Sequence, residues 1–146
     1  MNLKIASSNL NQTPLAWEKN FSNIRNSIND ARKKNVKILC FPELSITGYS
    51  CQDLFFNSWF INKSEKYLKE VVKLCDGMTV LIGHPLKYSG KLYNAVSIIK
   101  NKEIKGCFIK SNLPNDGIHY EKRWFEPWRL GAVSYTHLTL PTMELV

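Results

Sequence analysis

Val36-Lys37-Ile38-Leu39-Cys40-Phe41-Pro42-Glu43-Leu44, followed by Gly48-Tyr49 and Asp53-Leu54, is the stretch from which the fold of this chain is read. Val36 to Phe41 is an apolar run broken only by Lys37, which reads as a buried strand. Pro42 ends it, because proline has no N–H to give to a sheet ladder. The carboxylate of Glu43 is thereby left at the carboxyl end of a strand, the place where open α/β sheets gather their ligands. A rigid exit, an acid and a glycine-centred turn together hold one carboxylate still. The alternative for Glu43 is a buried carboxylate that serves only as a hydrogen-bonding scaffold.

Outward from that strand, alternation over Leu3 to Leu10 predicts a first strand, and Thr13-Pro14 reads as an N-cap with proline at the first helical position. Trp17, Phe21, Ile24, Ile28 and Ala31 recur at helical spacing, giving an amphipathic helix to about Lys34 with Asn35 as its left-handed stop. After the Glu43 loop, Asp53 is expected to cap a short helix through about Ile61. Ser64 is expected to cap another, burying Tyr67, Leu68, Val71, Val72 and Cys75. Asp76-Gly77 turns into a strand over 78–83. Ser89-Gly90 reads as a hairpin turn between that strand's extension and a strand over 91–99, and Asn101-Lys102 as the turn into a strand over 103–110. The order βαβ, helices, then a run of strands predicts an α/β class with mixed pairing.

The bulk composition is that of an ordinary globular domain, with 146 residues, 44% hydrophobic and 22% charged. No apolar run approaches the roughly 20 residues that cross a bilayer, and no signal-peptide pattern opens the chain. A cytoplasmic location without membrane attachment is the default. Four cysteines, Cys40, Cys51, Cys75 and Cys107, lack the spacing of a zinc site and read as reduced thiols. The net charge of +8 raises the reading of a non-catalytic basic protein that binds nucleic acid or acidic partners. Against it, the lysines are spread along helices and turns with no interleaved aromatic platform, so no nucleic-acid partner is expected.

Two further strings extend the Glu43 motif: Ile109-Lys110-Ser111-Asn112-Leu113-Pro114-Asn115 and Tyr120-Glu121-Lys122-Arg123-Trp124-Phe125. With the Phe-Pro-Glu-Leu stretch they resemble the active-site signatures of the carbon–nitrogen hydrolase (nitrilase) superfamily over about residues 1–130. The Gly-Tyr and Asp-Leu pairs are most similar to the glutamine-hydrolysing domains of glutamine-dependent NAD synthetases. The resemblance implies the first half of a nitrilase-like αββα sandwich with mixed β-sheets.

It also implies glutamine hydrolysis that supplies ammonia for amidating deamido-NAD, with another amidase or carbamoylase of the superfamily as the alternative. A small amide is then the substrate and a homo-oligomer the intact state. In such enzymes a glutamate, a lysine and a cysteine divide the work of base, oxyanion partner and nucleophile. By resemblance Glu43 is the base and Lys110 the cation, placed beside it across neighbouring strands. Glu121 is the second carboxylate, which orients the lysine and substrate. By itself Lys110 would read as a solvated strand-end charge, and Glu121 as a salt-bridge partner of Lys122 or of the neighbours of Arg123.

The nucleophilic cysteine of the family falls some tens of residues beyond the lysine. Of the cysteines here only Cys51 has a place near Glu43, so the chain as given is expected to be inactive. No metal or cofactor site is expected in it. ATP and magnesium are implied only for a synthetase domain elsewhere, since no phosphate-cradling glycine-rich loop occurs. Asp116-Gly117 stands where relatives in this branch carry an aromatic pair such as Tyr-Gly, which loosens the case for glutamine.

The last residues change character. Ala132 to Val146 contain no Lys, Arg or Asn. Val133 to Thr142 reads like the translation of a sequencing-library adapter, the alternative being an edge strand in which Val133, Tyr135 and His137 alternate. The expectation is a partial hydrolase domain over 1–131 and a non-native tail over 132–146, with uncovered sheet edges and poor solubility as the consequence.

Overall fold

A computed structural model describes residues 2–128. The proposed tail and the domain boundary at 131 lie outside the described residues. Seven elements follow in order: β1 (Ile5–Ser7), α1 (Trp17–Lys33), β2 (Ile38–Cys40), α2 (Ser58–Leu74), β3 (Thr79–Tyr88), β4 (Lys91–Lys100) and β5 (Glu103–Ile109). They build one sheet in the order β1-β2-β3-β4-β5, whose first three strands are parallel and last three antiparallel. The mixture follows from the connections. Parallel neighbours need a long crossover, which α1 and α2 supply, while antiparallel neighbours need only a tight turn. Both hairpin turns place two successive residues in the left-handed region, Ser89 and Gly90 at φ 48° and 76° and Asn101 and Lys102 at 53° and 59°. That is the turn geometry whose twist matches the strands it joins.

The core lies between the sheet and the two helices. Ile24 and Ile28 of α1, Phe60, Leu68 and Val71 of α2, and Leu39, Val80, Ile82 and Ile99 of the strands are buried there. Strand alternation sends Leu81, Val96, Ile98 and Phe108 to the other face, where Phe108 is 67% exposed. One face of the sheet is therefore covered by helices, while the other is open at Phe108 and covered at Gly83 by the turn that follows β2. No helix among the described residues is long and apolar enough to cross a membrane.

Three local expectations are corrected. The first helix starts at Trp17, not at Pro14, because Leu15 stands at φ 66°, outside any right-handed helix. Thr13 does not cap it. Instead the Asn20 side chain accepts from the Thr13 N–H at 2.9 Å and donates to its carbonyl at 2.8 Å, stitching the entry turn to the helix.

Ser64 begins no helix. The sequence Asn62-Lys63 contains no breaker, the apolar face runs on from Ile61 to Leu68, and Ser64 is buried mid-helix with its hydroxyl unpartnered. Asp53 sits in a 3₁₀ turn, Gln52–Phe56, and its carboxylate caps nothing; it accepts from Arg123 and Trp124 instead. The remaining strands match expectation in kind, with β1 and β2 shortened to three residues each and β3 continuing through Pro85 to Tyr88. The stop at Asn35 is left-handed as read, at φ 55°.

Candidate active site

Glu43, Lys110 and Glu121 meet. The Lys110 ammonium donates to Glu43 Oε1 at 2.7 Å and to Glu121 Oε1 at 3.1 Å, with Glu121 Oε2 at 3.0 Å. Three segments far apart in sequence thus converge on one nitrogen. The local chemistry explains how each arrives.

Glu43 leaves β2 through Pro42 and enters a tight turn. Leu44 takes φ 51°, Ser45 Oγ donates back to the Pro42 carbonyl, and Gln12 Nε2 donates to the Ser45 carbonyl at 2.6 Å. A buried leucine in the left-handed region is uncommon and is held there by these bonds. The turn lies directly on Gly83 of β3. A Cβ added at Gly83 would stand 2.5 Å from Leu44 N and 2.9 Å from Glu43 Cα. Only a residue without a side chain lets the loop approach so closely.

Lys110 follows the last residue of β5, and its backbone N–H donates to the Asn94 carbonyl of β4 at 2.9 Å. Asn94 also donates from its side-chain amide to Glu43 Oε1. Glu121 begins a short 3₁₀ turn, Glu121–Arg123, whose first N–H donates to the Pro114 carbonyl at 3.0 Å. Two residues on, Arg123 makes a bidentate pair with Asp53, both bonds at 2.8 Å, and Trp124 Nε1 adds a third at 2.9 Å. These bonds hold the Asp53 carboxyl well below the usual carboxylate range. The segment bearing Glu121 is so fastened to the loop that follows Glu43.

The electrostatics separate the three groups. Glu121 is buried, with its side chain 4% exposed, and the Tyr49 hydroxyl donates to its Oε1. Burial and that bond push the Tyr49 phenol far above its ordinary value. Glu43 is the open member, its side chain 39% exposed. Burial works against the Lys110 charge, but the bonds and fields of Glu43 and Glu121 outweigh it, so its pKa is raised and it stays an ammonium at neutral pH. An ammonium has three donors, of which two are spent on carboxylates, leaving the third for an incoming acceptor. Beside the trio a small open recess of about 90 Å³ is bordered by Tyr49, Tyr120, Glu121 and Trp124.

The sequence reading named all three charged residues and missed Asn94, Tyr49 as a partner of Glu121, and Gly83. A glycine inside a strand is a recognised sign of close backbone approach, and an asparagine amid Leu-Tyr and Ala-Val was the polar break that marked Asn94. One expectation changes. Glu43 and Lys110 do not come from neighbouring strands, since β3 and β4 lie between β2 and β5; the turn over Gly83 closes that gap. The salt bridge suggested for Glu121 with Lys122 or the Arg123 region is replaced by the one with Lys110.

Cys51 is buried, with its thiol donating to the Thr47 and Gly48 carbonyls at 3.3 Å each, and burial pushes it up to about 11. A thiol in that state is a poor nucleophile. Among the described residues no group of three or more His, Cys, Asp or Glu side chains is arranged to hold a metal.

Comparison with known proteins bears on this arrangement. The chain is 35% identical over 129 residues to the glutamine-dependent NAD(+) synthetase of Arabidopsis thaliana, covering 87% of this chain and 18% of that protein. It is 32% identical to the enzyme of the same name from Thermotoga maritima, covering 86% of this chain and 22% of that protein. The chain thus spans about a fifth of the length of these relatives.

The crystal structure of a glutamine-dependent NAD(+) synthetase from Cytophaga hutchinsonii superposes with a TM-score of 0.86 at 42% identity, over 88% of this chain and 22% of that one. An amidase from Nesterenkonia sp. shares the fold at a TM-score of 0.73 and 17% identity, over 87% of this chain and 48% of that one. The family described as carbon-nitrogen hydrolase matches residues 4–143. With its two carboxylates and one lysine in a common cluster on a nitrilase-type α/β scaffold, the chain belongs to the carbon–nitrogen hydrolase family.

Proposed function

We propose that this chain supplies the base and the oxyanion-side cation of a site that hydrolyses the side-chain amide of glutamine. The ammonia released serves a full-length protein that amidates deamido-NAD. One observation carries the reading: a single ammonium just after β5 bridges an open carboxylate just after β2 and a buried one in the turn Glu121–Arg123. The names of the relatives support glutamine as the substrate and NAD synthesis as the destination.

In this reading Glu43 takes the proton of a cysteine thiol that residues 2–128 do not contribute. The thiolate sulfur attacks the amide carbon, and the negative charge gathered on the carbonyl oxygen is met by the third N–H of Lys110. The C–N bond then breaks while Glu43 returns its proton to the nitrogen, so ammonia leaves and a thioester remains. Water, deprotonated by the same carboxylate, hydrolyses that thioester to glutamate and frees the thiol. Glu121 keeps Lys110 in place and presents its buried oxygen to the same space. ATP and magnesium belong to the amidation step and to residues outside this chain.

The test uses the full-length protein, assayed for NAD formation from deamido-NAD with either glutamine or ammonium as the nitrogen source. Glu43→Gln is expected to lower glutamine-dependent turnover by roughly 10²- to 10⁴-fold, the usual worth of a positioned base, and to spare ammonium-dependent turnover. Near-parental use of glutamine by this variant would remove Glu43 from the role.

A further inference from the structure

The two oxygens of the Glu43 carboxylate are not equivalent. Oε1 accepts from Lys110 Nζ at 2.7 Å and from the side-chain amide of Asn94. A carboxylate oxygen has two lone pairs in its plane, so two donors fill it. Oε2 receives no donor among the described residues, and the side chain is 39% exposed. Building on the amide-hydrolase reading above, we propose that Asn94 is a positioning residue that commits Oε1 to the lysine and leaves Oε2 as the atom that takes and returns the proton.

The residue is built for that task. Asn94 is 3% exposed on β4, opposite Pro85 of β3, and it reaches both members of the pair by different atoms. Its backbone carbonyl holds the Lys110 N–H, and its side chain holds the Glu43 carboxylate. One strand position therefore sets the spacing between acid and ammonium. The amide end is also the right chemistry, since an NH₂ donates to a carboxylate without adding charge. Without it the Glu43 carboxylate turns freely about its last torsion, a broad and soft one. The ammonium can then take both oxygens and leave neither free. Asparagine interrupting an apolar strand is otherwise a cost, which this double role explains.

The test compares Asn94→Ala and the isosteric Asn94→Asp in the full-length protein. For Asn94→Ala, kcat for glutamine hydrolysis is expected to fall about 100-fold, the order of loss for a reacting group displaced by about an ångström. KM for glutamine and ammonium-dependent turnover are expected to stay within about twofold, because neither substrate pocket nor second activity is touched. Asn94→Asp, which keeps the shape and sets a carboxylate against Glu43, is expected to lose more.

A uniform loss of both activities, or a KM change with kcat preserved, would overturn the proposal, as would parental kcat in both variants. A crystal structure of Asn94→Ala reads the same claim without activity. There Glu43 is expected to rotate so that Lys110 contacts both oxygens, and an unmoved carboxylate would overturn the assignment. A parent that hydrolyses no glutamine would sink the functional reading above, yet the rotation of Glu43 would still decide the role of Asn94.

Discussion

Gly83→Ala is the perturbation that reaches the site with the smallest chemical change. The added methyl would stand 2.5 Å from Leu44 N, 2.8 Å from the Pro42 carbonyl oxygen and 2.9 Å from Glu43 Cα, where ordinary contact begins near 3.4 Å. All three are backbone atoms, so no side chain can swing aside. The turn must retreat by roughly 0.9 Å from a strand interior that packs too densely to absorb it.

Glu43 rides on that turn, and the retreat is resisted by the Phe41 N–H bond to the Leu81 carbonyl at 2.8 Å and by the Ser45 and Gln12 bonds. Overpacking of this size costs about 1–3 kcal/mol of stability. A base displaced by about an ångström costs on the order of 100-fold in rate. The assay is glutamine-dependent against ammonium-dependent turnover of the full-length protein, with thermal melts alongside. Gly106→Ala is the control, because a Cβ there meets nothing within 4 Å. A Gly83→Ala protein that melts and hydrolyses glutamine like its parent would refute the claim that β3 carries the Glu43 turn.

Two more outcomes follow from groups away from the chemistry. His84 is buried, with Nε2 2.7 Å from Ser97 Oγ and Nδ1 3.0 Å from the Pro85 carbonyl, and burial lowers it to about 4. Below its ordinary 6.5 the unfolded chain binds a proton that the folded chain refuses, so stability falls as pH drops from about 6.5 to 4. The loss is on the order of 3 kcal/mol at most. Melts of the parent and of His84→Gln over that range should show the slope reduced in the variant; equal slopes would contradict it. Cys51→Ala should leave glutamine hydrolysis within about twofold, since its thiol is tied to two carbonyls and is not activated. Loss of activity in a folded Cys51→Ala protein would restore Cys51 as a nucleophile.

The strands and the helix faces are legible because each is written in local pattern, whereas Glu43, Lys110 and Glu121 stand out through the strings that resemble the family's signatures. Val36 to Phe41 is apolar but for Lys37, Pro42 stops it, and Lys110 directly follows another strand before Leu113-Pro114. What was not legible depends on tertiary competition. Thr13 reads as a cap, but the Asn20 amide, seven residues on, pairs with both its N–H and its carbonyl, a geometry no capping rule contains. Ser64 looked like a helix start because serine often is one, yet an unbroken apolar face carried α2 through it. Asp53 reads as the cap of its own helix, whereas its partners stand 70 and 71 residues away. The site itself depended on the same kind of distance. The three charged residues sit in strings that match the family's signatures, whereas the glycine that lets a turn fold over β3 and the asparagine that links acid to lysine lie outside those strings.

An experimental structure of the full-length protein tests the central claim most directly, because the proposed mechanism requires a cysteine thiol on the open side of the Glu43–Lys110 pair. The expected result is a cysteine sulfur within hydrogen-bonding reach of Glu43, about 3.0–3.5 Å, with the third N–H of Lys110 directed into the same space. A cysteine approaching from the helix-covered face, or Glu43 and Lys110 no longer in contact, would contradict it.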